Sequence, residues 1–286
     1  MRDPPAEADP GAAAPRSGGA TQPRVAIVTG AGRGLGRAMA LGLARAGIHV
    51  VATAAREAGE LEALLGEAER MDRAAQVVPM LADVTREEDC QAAVDAAVGR
   101  FGRLDILVNN AGRGMAHVSR DFMTKPSRFW EVAPATWRLV IDTNVNGPFL
   151  MARCAVPWML KARWGRIVNI SMNRATMRRQ GFSPYGPSKA ALESATAIWA
   201  QDLAGTGVTV NALLPGGATR TGMIPADLPP AVGATLLDPA IVVAPLLWLV
   251  SAAADGVNGK RLTATRWPGA DGGIGGLLEA IEPAGG

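Results

Sequence analysis

The sequence predicts an α/β protein built as one domain, with a doubly wound, mostly parallel seven-stranded sheet and helices on both faces. Three observations predict it. Short apolar, β-branched runs alternate with amphipathic stretches of helical period, a pattern that implies parallel pairing through right-handed crossovers. Two of the runs, 106–108 and 208–214, are apolar almost without interruption, as strands covered on both faces are. A glycine-rich turn over 29–36 joins the first strand to the first helix.

Taken in order, 25–29 reads as the first strand and 35–46 as a helix with Leu35, Met39 and Leu43 on one face. A second strand, 49–53, precedes a helix over 57–71 in which Leu61, Leu64, Leu65 and Ala68 are in register. The third strand is 77–81. Thr85 reads as the N-cap of the next helix, with Glu88 as its capping-box partner. The fourth strand is 106–109. Two long helices are expected around 136–153 and on to 163, then a fifth strand over 166–171 and a helix over 185–204. The sixth strand is 208–214, a late helix 240–251, and a short last strand 261–264. Residues 1–23, rich in Ala, Pro and Gly, read as a disordered extension. The domain spans 24–269, and 270–286 reads as a loosely ordered tail.

Composition narrows the function classes. Hydrophobic residues make up 48% and charged residues 19% of 286, the balance of a globular chain. The net charge of +3 is spread along the sequence, so no nucleic-acid arm is indicated. No apolar run is long enough to span a membrane, and the start lacks the apolar centre of a signal peptide. Two cysteines, Cys90 and Cys154, make no disulfide framework, and two histidines, His49 and His117, no metal site. The expected setting is the cytoplasm, with a small-molecule substrate and no metal.

The turn Thr29-Gly30-Ala31-Gly32-Arg33-Gly34-Leu35-Gly36 follows a strand and opens a helix. There, missing side chains let backbone approach a pyrophosphate, and the helix N-terminus offers free N–H groups and partial positive charge. A dinucleotide is therefore expected. An NAD site places an acid at the end of the second strand for the ribose 2′-hydroxyl. Ala54 stands there instead, with Arg33 and Arg56 nearby and Thr53 as a further donor. Guanidinium groups suit a 2′-phosphate, so NADP(H) is expected over NAD(H).

With these residues the chain resembles the short-chain dehydrogenase/reductase family over about 24–269. Gly30, Gly34 and Gly36 fit its glycine signature. Asp83, followed by Val84, matches its adenine-contacting acid, and Asn109-Asn110-Ala111-Gly112 its strand-end motif. Asn144 matches its helix asparagine, Tyr185 and Lys189 its Tyr-x-x-x-Lys pair, and Pro215, Gly216 and Thr221 its carboxamide-holding loop. The resemblance implies a Rossmann-type fold. It also implies hydride transfer between a nicotinamide and a small, apolar carbonyl or alcohol, with Tyr185 as general acid/base. Lys189 lies four residues on, on the same helix face, where an ammonium lowers a phenol's proton affinity. By the resemblance Lys189 also binds the nicotinamide ribose, and Asn144 holds a water of the proton relay. Homodimers or homotetramers are implied, packed through the helices near 136–163 and 185–204; Ala190, Ala191, Ala195 and Ala197 would permit close approach.

One part of the pattern is missing. The family's carbonyl-binding serine falls thirteen residues ahead of the tyrosine, and here that residue is Met172, which offers no useful donor. Ser171 is adjacent, but neighbouring strand residues face opposite sides. Three readings stay open: Ser171 or Asn173 compensates; the substrate is a cyclic imine, making an imine reductase; or the chain binds a dinucleotide without turnover. The substrate side is expected in 112–133, 173–184 and 217–230, with Met172, Asn173, Phe182 and Met223 as candidate contacts. Trp267 is a candidate for a pocket or an interface.

Overall fold

The fold is seen in a computed structural model that describes residues 22–71, 75–225, 233–269 and 280–284. Seven parallel strands run β1 (Val25–Val28), β2 (His49–Ala54), β3 (Val77–Leu81), β4 (Ile106–Asn109), β5 (Gly165–Ile170), β6 (Val208–Leu214) and β7 (Lys260–Thr263). An eighth, β8 (Ile281–Pro283), pairs antiparallel with β7 and corrects the expected seven. It comes from the stretch expected as a loose tail. The order is β3-β2-β1-β4-β5-β6-β7-β8, so the chain reverses its direction of winding between β1 and β4. In such sheets the crevice beyond the strand ends at that switch point takes the ligand. The expected extension 1–23 lies outside the described residues up to 21.

Alternate strand residues feed two cores, as the two-residue period of a strand demands. Ala26, Val28, Ile106, Val108, Val168 and Ile170 face α1 (Gly34–Arg45), α2 (Ala58–Glu69) and, late in the chain, a helix at Val243–Leu249. Val25, Ile27, Leu107 and Ile167 face α3 (Glu87–Phe101) and the long helices that follow β4 and β5. Both cysteines are buried and free. Trp267 packs on Trp248 with ring centroids 5.4 Å apart, against the first of these cores.

Two local expectations are corrected. Thr85 does not cap α3: Arg86 holds the N-cap position, and the Thr85 hydroxyl donates to Asp83 at 2.8 Å instead. The nearby acid captures the hydroxyl that would have served the helix. The region from 136 to 163 is one path broken by a π-turn: α4 (Pro134–Ile141), the turn Asp142–Asn146, then α5 (Gly147–Ala162). Thr143 donates back to Leu139 O at 2.8 Å, a bond that bends helices. After β5 come a single turn, α6 (Arg174–Met177), and α7 (Tyr185–Asp202); the late helix is α8 (Val243–Leu249). No helix among the described residues is long and apolar enough to cross a membrane.

Candidate active site

The switch point is sewn shut by the two strand-end motifs. Thr29 Oγ1 accepts the backbone N–H groups of Asn110 and Ala111, each at 3.0 Å. The Asn110 amide donates to Thr29 O at 2.8 Å and Gly30 O at 3.0 Å. Gly30 and Gly34 adopt φ of 62° and 55°, the left-handed region that favours glycine. Gly36 is required for a different reason: a Cβ there would lie 2.1 Å from Gly30 O. α1 thus starts hard against the loop, with no side-chain cap and no acidic residue in its first turn. Its first N–H groups are left for an anion.

Arginines surround this spot. Arg33, at the N-terminus of α1, reaches Glu60 of α2 at 3.3 Å. Arg56, after β2, is exposed and has no hydrogen bond or ion pair to another described residue. Arg113, directly after the Asn-Asn-Ala-Gly motif, lines the same groove as Arg33 and Gly34–Gly36. Its guanidinium is likewise unpaired among the described residues, and burial, then Arg56 and Arg33, lower its proton affinity. The motif reading did not single out Arg113. Its signal was present, since it extends a matched motif by one residue. Asp83 accepts both the N–H and the hydroxyl of Thr85, and Val84 packs under Gly147. Neither is among the residues lining the groove.

The groove continues into a cavity of about 250 Å³. Leu35, Asn110, Gly114, Thr221 and Met223 line both. Into the cavity the structure brings Tyr185, Lys189, Met172, Asn173, Phe182, Pro215 and Gly216. Gly216 has φ 98°, and a Cβ there would strike Thr265 Oγ1 at 1.9 Å, so this turn also needs glycine. Met115, Phe122 and Phe182 form a small core beside Met172, Tyr185 and Ile224. Of the segment 217–230, residues up to 225 are described. Thr221 lies over Gly34 and Met223 over Gly112 and Gly114, so this segment roofs the join between groove and cavity.

Burial pushes the Tyr185 phenol up to about 12 and the Lys189 ammonium down to about 8, with Glu193 opposing the latter. Lys189 donates to Ile170 O at 2.7 Å. Asn144, in the π-turn, sits behind the cavity. Its amide donates to Arg113 O at 3.0 Å and Ser188 Oγ at 2.9 Å, and its Oδ1 accepts Arg113 N at 2.7 Å. Both amide protons are therefore committed.

Ser171 lines the cavity beside Met172. Its hydroxyl donates to Glu193 on α7 at 2.6 Å. Strand parity explains this: Asn169, two residues earlier, likewise bonds Thr196 of α7 at 2.9 Å. Met172 points to the opposite side of the strand, and it and Ser171 both line the cavity. Asn173 donates one amide proton to Gly216 O at 2.8 Å. That leaves its second amide proton without a partner among the described residues.

A dinucleotide groove that opens onto a half-buried phenol and a buried ammonium marks a class, the nucleotide-dependent oxidoreductases. Comparison with known proteins agrees. Residues 24–228 match the short chain dehydrogenase family model. A 3-oxoacyl-[acyl-carrier-protein] reductase of Synechocystis is 35% identical over 193 residues, covering 68% of this chain and 73% of the relative. Among solved structures, a short chain dehydrogenase from Burkholderia cenocepacia in complex with NADP has a TM-score of 0.72 at 30% identity, covering 84% of this chain and 95% of that one. A 3-ketoacyl-(acyl-carrier-protein) reductase from Brucella melitensis complexed with NADH also scores 0.72 at 30% identity, covering 87% and 97%. The chain belongs to the short-chain dehydrogenase family. It is an enzyme, a dinucleotide-dependent oxidoreductase of carbonyl and alcohol groups.

Proposed function

We propose that this enzyme is an NADP(H)-preferring reductase of small, apolar-flanked ketones, 3-oxoacyl thioesters being the leading class, with Tyr185 as the general acid/base. The observation that carries the reading is the continuity of the arginine-flanked groove with the cavity holding Tyr185 and Lys189. Oxidised and reduced dinucleotides both fit the uncapped start of α1, and the unpaired Arg56 and Arg113 fit a further phosphate. When bound, the nicotinamide supplies or accepts the hydride. Gly30, Gly34, Leu35, Gly36, Asn110, Ala111, Gly112 and Thr221 would hold the dinucleotide, with Pro215 and Gly216 at its far end. Asp83 and Val84 are assigned to its adenine end by the resemblance alone.

Tyr185 gives its phenolic proton to the substrate oxygen in reduction and takes one in oxidation. Burial raises the phenol's proton affinity, so Tyr185 is protonated at neutral pH, the form that donates in reduction. Lys189 is charged below about pH 8 and neutral above it, so its help to the phenolate fades as pH rises. Asn144 holds the backbone of Arg113 and Ser188 in place, so its part in proton transfer is positional. Asn173 supplies the donor to the carbonyl that Met172 cannot. The apolar side chains of Met115, Phe122, Phe182 and Met223 set the preference for apolar flanks. Neither the site nor the relatives favour an imine substrate or a non-catalytic role.

The assembly fits a dimer across α4, α5 and α7. Phe149 on α5 is 50% exposed and Ile198 on α7 52% exposed, with Trp137 and Leu160 also bare. Large apolar side chains exposed on helices of one sheet face support that reading.

The test is NADPH oxidation with acetoacetyl thioester, a simple methyl ketone and a cyclic imine. Thioester turnover is expected to lead, and turnover of the imine alone would refute the reading. Arg56→Ala is expected to weaken NADPH binding about tenfold, the value of one charge-assisted bond, and to leave NADH binding unchanged. Equal losses for both dinucleotides in titration would place Arg56 away from the 2′-phosphate.

A further inference from the structure

Three consecutive residues at the end of β5 are each tied by a different buried charged side chain. Ile170 O accepts from Lys189 at 2.7 Å, the Ser171 hydroxyl donates to Glu193 at 2.6 Å, and Met172 O accepts from Arg261 at 2.9 Å. Lys189 and Glu193 are four residues apart on α7, continuing the face that begins at Tyr185. Arg261 sits on β7 and meets Glu193 at 3.2 Å, both only 4% exposed. Its Nη1 donates to Glu282 of β8 at 3.0 Å. Glu282 is held in turn by Arg174 of α6 and by Arg266, at 3.4 and 3.0 Å.

We propose that the Glu193–Arg261 pair is the positioning centre of this active site, setting the placement of Met172 and Asn173 at the cavity and, through Glu193, the charge at Lys189. The proposal rests on Tyr185 and Lys189 being the reacting pair. Neither Glu193 nor Arg261 lines the cavity, so both act through the residues they hold. The Ser171 N–H still donates to Leu213 O of β6 at 2.9 Å, but without the pair the Met172 carbonyl and the Ser171 hydroxyl lose the partners that fix them. β8 closes the network, which gives the C-terminal strand a reason to pair antiparallel there: it brings Glu282 between three arginines. The groups facing Lys189 are Tyr185 and Glu193 on its own helix and the Ile170 carbonyl on β5. Those facing Glu193 are Ser171, Lys189 and Arg261.

The test follows the titration of Lys189 in the full chain without substrate, by nuclear magnetic resonance of isotope-labelled lysine. The sequence has four lysines, and Lys189→Met assigns the signal. Glu193→Gln is expected to lower the Lys189 midpoint by about one pH unit, the effect of removing one nearby opposite charge. Should the lone guanidinium of Arg261 prevent folding, Glu193→Gln with Arg261→Met removes both charges together, a change buried pairs tolerate. Either folded variant is also expected to lose at least about tenfold in kcat on acetoacetyl thioester while its Kd for NADPH stays the same. An unshifted lysine midpoint in folded Glu193→Gln, or full kcat in either folded variant, overturns the proposal. Failure of the wild-type chain to reduce any carbonyl would instead overturn the proposed function, because the lysine titration needs no turnover.

Discussion

Tyr185→Phe is expected to reduce kcat/KM for carbonyl reduction by about 10²- to 10⁴-fold, the range for losing a positioned general acid. The phenol is the donor that the cavity presents at neutral pH, because burial keeps it protonated up to about 12. Its immediate neighbours do not replace it: Met172 has no donor, Ser171 is committed to Glu193, and Asn173 is too weak an acid to give up a proton. Phenylalanine keeps the ring among Met115, Phe122 and Phe182, so stability and NADPH affinity should stay near wild type. Steady-state rates beside a dinucleotide titration check both halves. An active Tyr185→Phe variant would remove Tyr185 from the chemistry.

The second large effect is expected at Gly36. A methyl group there would meet Gly30 O at 2.1 Å and the Asn110 amide nitrogen at 2.4 Å. Neither neighbour is a flexible side-chain end. Gly30 is backbone, and the Asn110 amide is bound to Thr29 and Gly30 carbonyls. Gly36→Ala therefore has to push α1 off the loop. It should cost about 1–3 kcal/mol of stability, the range for overpacking, and abolish measurable dinucleotide binding. Thermal denaturation and fluorescence titration with NADPH read the two effects separately. Unchanged dinucleotide affinity would show that the start of α1 is not the pyrophosphate site.

The sheet was legible because its strands obey simple rules. Val25 through Val28 and Ile106 through Asn109 are buried on both faces, and apolar runs of this kind between turn signals say so without help from tertiary structure. The glycine loop and the Tyr-Lys spacing were legible for the same reason: their chemistry depends on neighbours in sequence. β8 was not legible. It is three residues long, too short to show a period, and it is placed by Glu282 reaching Arg261. The π-turn is set by Asn144 bonding Arg113 and Ser188, partners 31 and 44 residues away. Thr85 failed as a cap because Asp83 competes for its hydroxyl, a contest composition does not decide. Ser171 was half legible: strand alternation pointed it away from Met172, but Glu193 as its acceptor required the docking of α7 on β5.

The central claim is that the Tyr185 phenol stands beside the nicotinamide end of the groove. Tyr185 is the only tyrosine in the chain, so ultraviolet difference absorbance of phenolate reports this one group. In the free protein phenolate should appear only as the pH approaches about 12. Saturating NADP+, with its positive ring, should move that onset down by about 1–3 units, the effect of an opposite charge in contact. A phenolate onset that is the same with and without NADP+ would contradict the account.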